Sequence, residues 1–236
     1  MIIKSAIKKF FAFFNITIAR AVSDVTPDAF VEHDVTLLFD VGANSGQFAL
    51  TMRASGYKNR IVSFEPLEEA HQELLVNASL DEGWQVAPKV ALGSKSQSAV
   101  INVSKNSWSS SILDMLPACS DVEKNSIFVS KQKVEIRTLD ELYQEYLLKT
   151  DEIIGIKIDT QGFEKEVLLG SIDVLSKVKV VMIELSVVPL YADSELYEYF
   201  FDFFKRNGFT LWNIVPGFSN RTTGQLLQFD AYFVRL

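Results

Sequence analysis

The chain has 236 residues, 48% of them hydrophobic, which is enough apolar material for one substantial core and does not require a second domain. Its 23 basic and 30 acidic residues leave a net charge of −7, which disfavours affinity built on neutralising phosphates, so DNA and structured RNA are poor partners. One cysteine, Cys119, excludes an internal disulfide and, with only His33 and His71, leaves no Cys/His zinc cage; no metal is expected, and a reducing cytoplasm fits.

The first twenty residues stand apart. Lys4, Lys8, Lys9 and Arg20 bring four positive charges without an acid, leaving 19 basic against 30 acidic residues, a charge of −11, on the remainder. Ile3, Ile7, Phe10, Phe11, Phe14 and Ile18 recur at helical spacing, so residues 1–20 are predicted as an amphipathic helix and residues 21–236 as the main domain. Packing on that domain, contact of residues 2–18 with a membrane surface or partner, and a targeting role are three readings of such a segment. The apolar run is too short, and too interrupted by Asn15 and Thr17, to span a bilayer.

Beyond it, short apolar runs alternate with helical stretches, the pattern of βαβ units around a largely parallel sheet. Thr36 to Val41 is predicted as a buried strand, Gly42 to Gly46 as a tight turn, and Gln47 to Ser55 as a helix stopped by Gly56. A second strand, Arg60 to Phe64, is closed by Pro66 and followed by a helix from Leu67 to Leu80. Trp84 to Val90 is predicted as a third strand and Ala99 to Val103 as a short hairpin or edge strand. Residues 104–133 lack a period and contain Asn106-Ser107-Trp108-Ser109-Ser110-Ser111, so they are predicted as a long loop. After a short strand, Val134 to Arg137, Thr138 and Glu141 form a capping box for a helix through Leu148. Ile153 to Asp159 and Lys179 to Leu185 are buried strands, separated by a helix from Phe163 to Leu169 that ends at Gly170 and by a further helical turn. An aromatic helix from Ser194 to Asn207, ended by Gly208, precedes strands at Thr210 to Val215 and Ala231 to Val234. The fold class is α/β, a mostly parallel sheet finished by an antiparallel terminal strand pair.

The densest chemical signal is Asp40-Val41-Gly42-Ala43-Asn44-Ser45-Gly46, set between a buried strand and a helix. Glycines let backbone approach a ligand, and a helix N-terminus presents free N–H groups. The spacing Gly-x-x-x-Gly departs from the Gly-x-Gly-x-x-Gly that seats a pyrophosphate, which weakens a dinucleotide reading. A cofactor without phosphates still needs an amino-acid carboxylate and ammonium held; Asp40 and the turn of Gly42, Asn44 and Gly46 offer an acceptor and donors. Glycines that serve packing alone are the alternative. Glu65 ends the second strand, 23 residues after Gly42, where a carboxylate can accept from both hydroxyls of a ribose. Ala91 and Leu92 would border an adenine, or belong to the plain core.

Taken in order, that turn, Phe64-Glu65-Pro66, Ala91-Leu92-Gly93, Thr138-Leu139-Asp140 and Lys157-Ile158-Asp159-Thr160-Gln161-Gly162-Phe163-Glu164 resemble the FkbM-type methyltransferases over about residues 37–186. The resemblance implies a Rossmann-like class I methyltransferase fold, S-adenosyl-L-methionine as methyl donor, and O-methylation of a hydroxyl on a saccharide, glycolipid or small metabolite. Family members commonly carry Glu in the last block where this chain has Gln161.

Lys157, Asp159 and Glu164 would be costly beside the run Ile153-Ile154-Gly155-Ile156 unless they reach the carboxyl edge of the sheet, where ligands bind. Methyl transfer to a hydroxyl is an in-line displacement that needs alignment and a base for the alcohol proton. Asp159 is the expected base. Lys157 is expected to hold the acceptor oxygen or keep Asp159 ionised, and Glu164 to contact the acceptor or cap its helix; a structural ion pair of Lys157 with a neighbouring acid is the alternative. Glu184, at the next strand's end, is placed with them, and Trp108, Ser110 and Ser111 are expected to close over cofactor or acceptor unless the loop is merely solvated. The stripe Tyr197, Tyr199, Phe200, Phe201, Phe203 and Phe204 is read as helix packing, and His33 and His71 as surface or capping residues. A non-catalytic cofactor- or sugar-binding protein and a nucleotide-linked oxidoreductase are the competing functions.

Overall fold

The computed structural model describes residues 28–149 and 151–236; the predicted amphipathic helix of residues 1–20 lies outside them. The strands are, in chain order, β1 Leu37–Val41, β2 Arg60–Phe64, β3 Trp84–Val86, β4 Ala91–Leu92, β5 Gln97–Ser104, β6 Phe128–Arg137, β7 Ile154–Ile158, β8 Val178–Ser186, β9 Thr210–Pro216 and β10 Gln228–Val234. β1 and β7 are buried at every position, as strands covered on both faces of a parallel sheet must be. Seven strands form one sheet in the order β3-β2-β1-β7-β8-β10-β9. All neighbours pair in parallel except β10, which runs against both β8 and β9. This is the expected Rossmann-like arrangement with its antiparallel terminal pair. The strand order turns between β1 and β7, and the crevice at that switch point opens at their carboxyl ends.

Alternation along the strands divides the core into two layers. Leu37, Phe39, Ile156 and Ile158 enter one layer, into which the Tyr197–Arg206 helix drops Phe200 and Phe204. Phe204 stacks on Phe233 at 4.3 Å, while Tyr197, Tyr199, Phe201 and Phe203 are partly buried around them, so the aromatic stripe is packing. Leu38, Ile61 and Met182 enter the other layer, with Phe30, Met52, Leu74 and Trp84. Among the described residues no helix is long and apolar enough to cross a membrane.

Several elements depart from expectation for identifiable reasons. The third strand stops at Val86 because Pro88 cannot donate to a ladder, and Ala91–Leu92 joins a second sheet of order β4-β6-β5 instead of the edge of the first. β6 begins at Phe128, inside the expected loop: Lys131, Lys133, Glu135 and Arg137 lie on its solvent face and mask a period that pairing with β5 enforces. Thr138 does cap its helix, accepting from the Glu141 amide at 3.1 Å, but the α-helix is only Leu139–Leu142 before a 3₁₀ turn at Tyr143–Tyr146. Glu141 turns to Arg137 at 2.8 Å, leaving the box half closed. His71 is buried and bonds the Ala87 carbonyl at 3.0 Å, contrary to the surface expectation, whereas His33 ends the Ala29–Glu32 helix against Trp212.

The two turn glycines are required by packing. Gly42 has φ +74°, and a Cβ there would overlap the Asp159 carbonyl; Gly46 has φ +93°, and a Cβ would press on Trp84 and Leu74. The missing Cβ at Gly42 therefore lets the turns after β1 and β7 touch. Gly42→Ala is expected to cost roughly 2–4 kcal/mol, because both the conformation and the space are wrong. Urea denaturation checks this; a midpoint equal to that of the unaltered chain would show that the two turns need not touch.

Candidate active site

The crevice between β1 and β7 is a cavity of about 400 Å³ bounded by the Gly42 turn, Glu65 after β2, Val90 to Leu92, the serine loop, the carboxyl ends of β7 and β8, and the amino end of the antiparallel β10. Its floor is set by register. Asp40 on β1 lies beside Lys157 on β7, on the same face, and both are buried. Lys157 Nζ donates to the carbonyls of Gly42 at 2.8 Å and Val41 at 3.3 Å and sits 3.2 Å from Asp40 Oδ1. Burial pulls the ammonium toward neutrality, but the charges of Asp40 and Asp159 outweigh it and the group is held above its ordinary value, as a cation. Two carbonyls thereby engage two of its N–H bonds, and Asp40 meets it as an ion pair. The ion pair that the sequence left as the alternative for Lys157 is present with Asp40, and Lys157 also lines the cavity.

Asp40 does not border the cavity. It is fully buried, accepts from Ser63 Oγ at 3.0 Å, and serves as counter-ion to Lys157 instead of meeting a ligand ammonium. Gly46 is likewise turned away, into Trp84 and Leu74. Glu164 is buried outside the cavity, where Oε1 accepts from the Thr160 and Gly162 amides at 2.9 and 3.0 Å; it ties the turn ahead of its helix and makes no side-chain cap to the helix itself.

The other expected residues line one cavity: Gly42, Asn44, Glu65, Ala91 and Leu92 on one side, and Trp108, Ser110, Ser111, Asp159 and Glu184 on the other, with Lys157 beneath. Glu65 Oε2 accepts from the Asn44 amide and Oε1 from the Leu67 amide, both at 2.8 Å. Each oxygen retains a lone pair. Burial raises the Glu65 carboxyl to about 7 against the pull of those amides and of Lys157. Val90, Ala91, Leu92, Ile101 and Ile112 give an apolar wall. The serine hydroxyls hold their own loop: Ser110 Oγ accepts from the Ser104 amide at 3.0 Å and Ser111 Oγ donates to the Gln161 carbonyl at 2.7 Å. Trp108 stands 66% exposed at the rim.

Asp159 is 35% exposed, and its Oδ2 lies 3.8 Å from Lys157 Nζ. Glu184 is half-buried; burial first, then the charges of Asp159 and Asp230, push its carboxyl well above the usual range. Asp230, raised to about 6 mainly by burial, also borders the cavity. Gln161 and Gln228 each donate to Glu184 Oε2 at 2.7 Å. Sequence reasoning missed Tyr191, Gln228 and Asp230. Gln228 and Asp230 were findable, as polar residues two apart in an apolar strand share a face; Tyr191, alone in a loop, carries no such signal.

The family described as "Methyltransferase FkbM domain" matches residues 40–211. Three solved structures resemble the chain: a proposed RNA methyltransferase from Pyrococcus horikoshii (13% identity, TM-score 0.46, 88% of this chain and 80% of that one), a proposed tRNA (m1A22) methyltransferase from Streptococcus pneumoniae with S-adenosyl-L-methionine (12%, 0.48, 85% and 66%), and the Methanococcus jannaschii fibrillarin pre-rRNA processing protein (12%, 0.48, 85% and 66%). The chain thus spans just under two thirds of the latter two. Scores below 0.5 at these identities say nothing of what this chain acts on, and the fold rests on the strand order above. No curated protein sequence matches the chain.

The raised carboxyls predict a pH dependence of stability. Glu65 and Glu164 move from 4.5 unfolded to about 7 folded, so the folded state holds extra protons in that interval. Their contribution is fully present below about pH 4.5 and is lost as the pH rises through about 7, on the order of 3 kcal/mol for Glu65. The melting temperature should fall across this window, and Glu65→Gln should flatten the fall. A midpoint that stays level or climbs over the same range would show these carboxyls ionising in the folded state without cost.

Proposed function

The chain belongs to the FkbM methyltransferase family, and on that premise we propose that it moves a methyl group from S-adenosyl-L-methionine to a hydroxyl of a saccharide, glycolipid or similarly polar small molecule. The observation that carries this reading is a single cavity with Glu65 and the Gly42 turn at one end and Asp159 at the other. The residues present suit the donor. Glu65 keeps lone pairs for ribose hydroxyls, Ala91, Leu92 and Ile101 offer an apolar seat for adenine, and the first amides of the Gln47–Ala54 helix are free to receive a carboxylate. When bound, S-adenosyl-L-methionine supplies an electrophilic methyl on a sulfonium.

The chain's own work is alignment and proton removal. Asp159 takes the proton from the acceptor hydroxyl as that oxygen attacks, with Lys157 Nζ 3.8 Å from its Oδ2. Trp108 at the rim gives a saccharide a flat apolar surface. Asp159, Glu184 and Asp230 share the acceptor end, whereas Lys157, the one cation that lines the cavity among the described residues, is already approached by Asp40. Carboxylates so placed repel a phosphate backbone, which favours an uncharged or cationic polyol over nucleic acid.

Mass spectrometry of cell glycans and glycolipids with and without the enzyme should show a methyl-sized difference at a sugar oxygen. Asp159→Asn, which preserves an oxygen toward Gln161, should keep cofactor affinity and lower turnover by about 10²–10⁴-fold. Unchanged turnover would remove Asp159 from the chemistry. Methyl groups found only on protein nitrogen or nucleic-acid bases would overturn the hydroxyl assignment.

A further inference from the structure

We propose that Gln161 is a positioning residue: its amide, supported by the Tyr191 hydroxyl, ties Asp159 to Glu184 and leaves the second oxygen of Asp159 free for the acceptor. The proposal rests on the reading of Asp159 as the base. Gln161 Nε2 lies 2.7 Å from both Asp159 Oδ1 and Glu184 Oε2, so each of its two N–H bonds meets one carboxyl group. The amide oxygen accepts from Tyr191 Oη at 2.9 Å. The two carboxyls fix the orientation, because a flipped amide would turn its oxygen toward both acids; the Tyr191 proton supports it, going to the amide oxygen at the shorter distance, with the Ser109 carbonyl at 3.3 Å as its other acceptor.

The surroundings hold the amide in this place. Gln161 sits at φ +55°, a conformation non-glycine residues adopt at a cost and retain where neighbours enforce it. Ser111 Oγ pins its carbonyl at 2.7 Å, and the adjoining Gly162, at φ +99°, packs where a Cβ would strike Tyr191. Tyr191 is 1% exposed, and burial raises its hydroxyl, so it remains a proton donor. Gln228 supplies a second amide to the same Glu184 oxygen, fixing the far end of the chain of bonds. Asp159 Oδ2 has no hydrogen bond among the described residues and faces Lys157 at 3.8 Å.

A carboxylate at position 161 has no N–H to give and would set three acids together. Gln161→Glu should therefore lose about 10²-fold in turnover, the scale of a misplaced reacting group, while a protonated Glu regains one donor. The ratio of variant to unaltered rate should accordingly rise as the pH falls. Gln161→Ala should show the same loss without that recovery, and Tyr191→Phe a smaller loss, each with calorimetric affinity for S-adenosylhomocysteine retained as proof of folding. Rates are measured with methyl-labelled S-adenosylmethionine and a glycan fraction that accepts label from the unaltered chain. Independently of any acceptor, the ¹⁵N-detected side-chain amide of Gln161 should lie outside the ordinary glutamine range and move in Tyr191→Phe.

A pH-independent ratio for Gln161→Glu, or full activity of Gln161→Ala, would overturn the proposal. So would an amide signal that is ordinary and indifferent to Tyr191. If no glycan is labelled, or if Asp159→Asn is fully active, the functional reading fails by itself, and the amide signal still decides whether the clamp exists.

Discussion

The buried ammonium of Lys157 is the interaction on which the site depends. Taking a cation out of water costs several kcal/mol even after relaxation, so it is tolerated only where partners surround it. Here the partners are the Asp40 carboxylate, beside it in register, and the carbonyls of Val41 and Gly42 that follow on the same chain. One charge thus welds the turn after β1 to the strand β7. The welded turn brings the Gly42 backbone against Asp159, presents the Asn44 amide to Glu65 and fixes the width of the crevice. Removing one member of such a pair typically costs 3–5 kcal/mol, because the other is left buried without a partner.

Charge balance above that floor explains much of the rest. Lys157 is shared between Asp40 and Asp159, so among the described residues Asp159, Glu184 and Asp230 line the cavity wall with one cation that Asp40 already approaches more closely. The protein meets the surplus in two ways. Burial and mutual repulsion push Glu184 and Asp230 toward their neutral forms, and the amides of Gln161 and Gln228 supply donors where water is scarce. A methyl donor carrying a sulfonium suits such an environment by the same electrostatics that make it poor for phosphate.

Much of this was legible in the residues. Long apolar runs at β1, β2, β7 and β8 declare buried parallel strands, and the Gly42 turn, Glu65 and Asp159 fall at their carboxyl ends as strand-end residues must. The family resemblance, carried by short ordered motifs, holds over residues 40–211. What was not legible depends on contacts distant in sequence. Nothing local distinguishes an Asp40 that meets a ligand from one that pairs with a lysine 117 residues later. Gly42 and Gly46 look alike on paper; one clears a carbonyl from another turn and the other an indole. β6 hides because its exposed face is charged, and the role of Gln161 needs Tyr191, whose position only the folded chain supplies.

The claim that the Lys157 cation builds the cofactor end of the crevice is open to one direct measurement. Calorimetric titration of Lys157→Met with S-adenosylhomocysteine should show affinity falling at least about tenfold relative to the unaltered chain, alongside a lower melting temperature, since the turn loses its anchor. Undiminished affinity, with only methyl transfer impaired, would contradict the account and place the lysine at the acceptor.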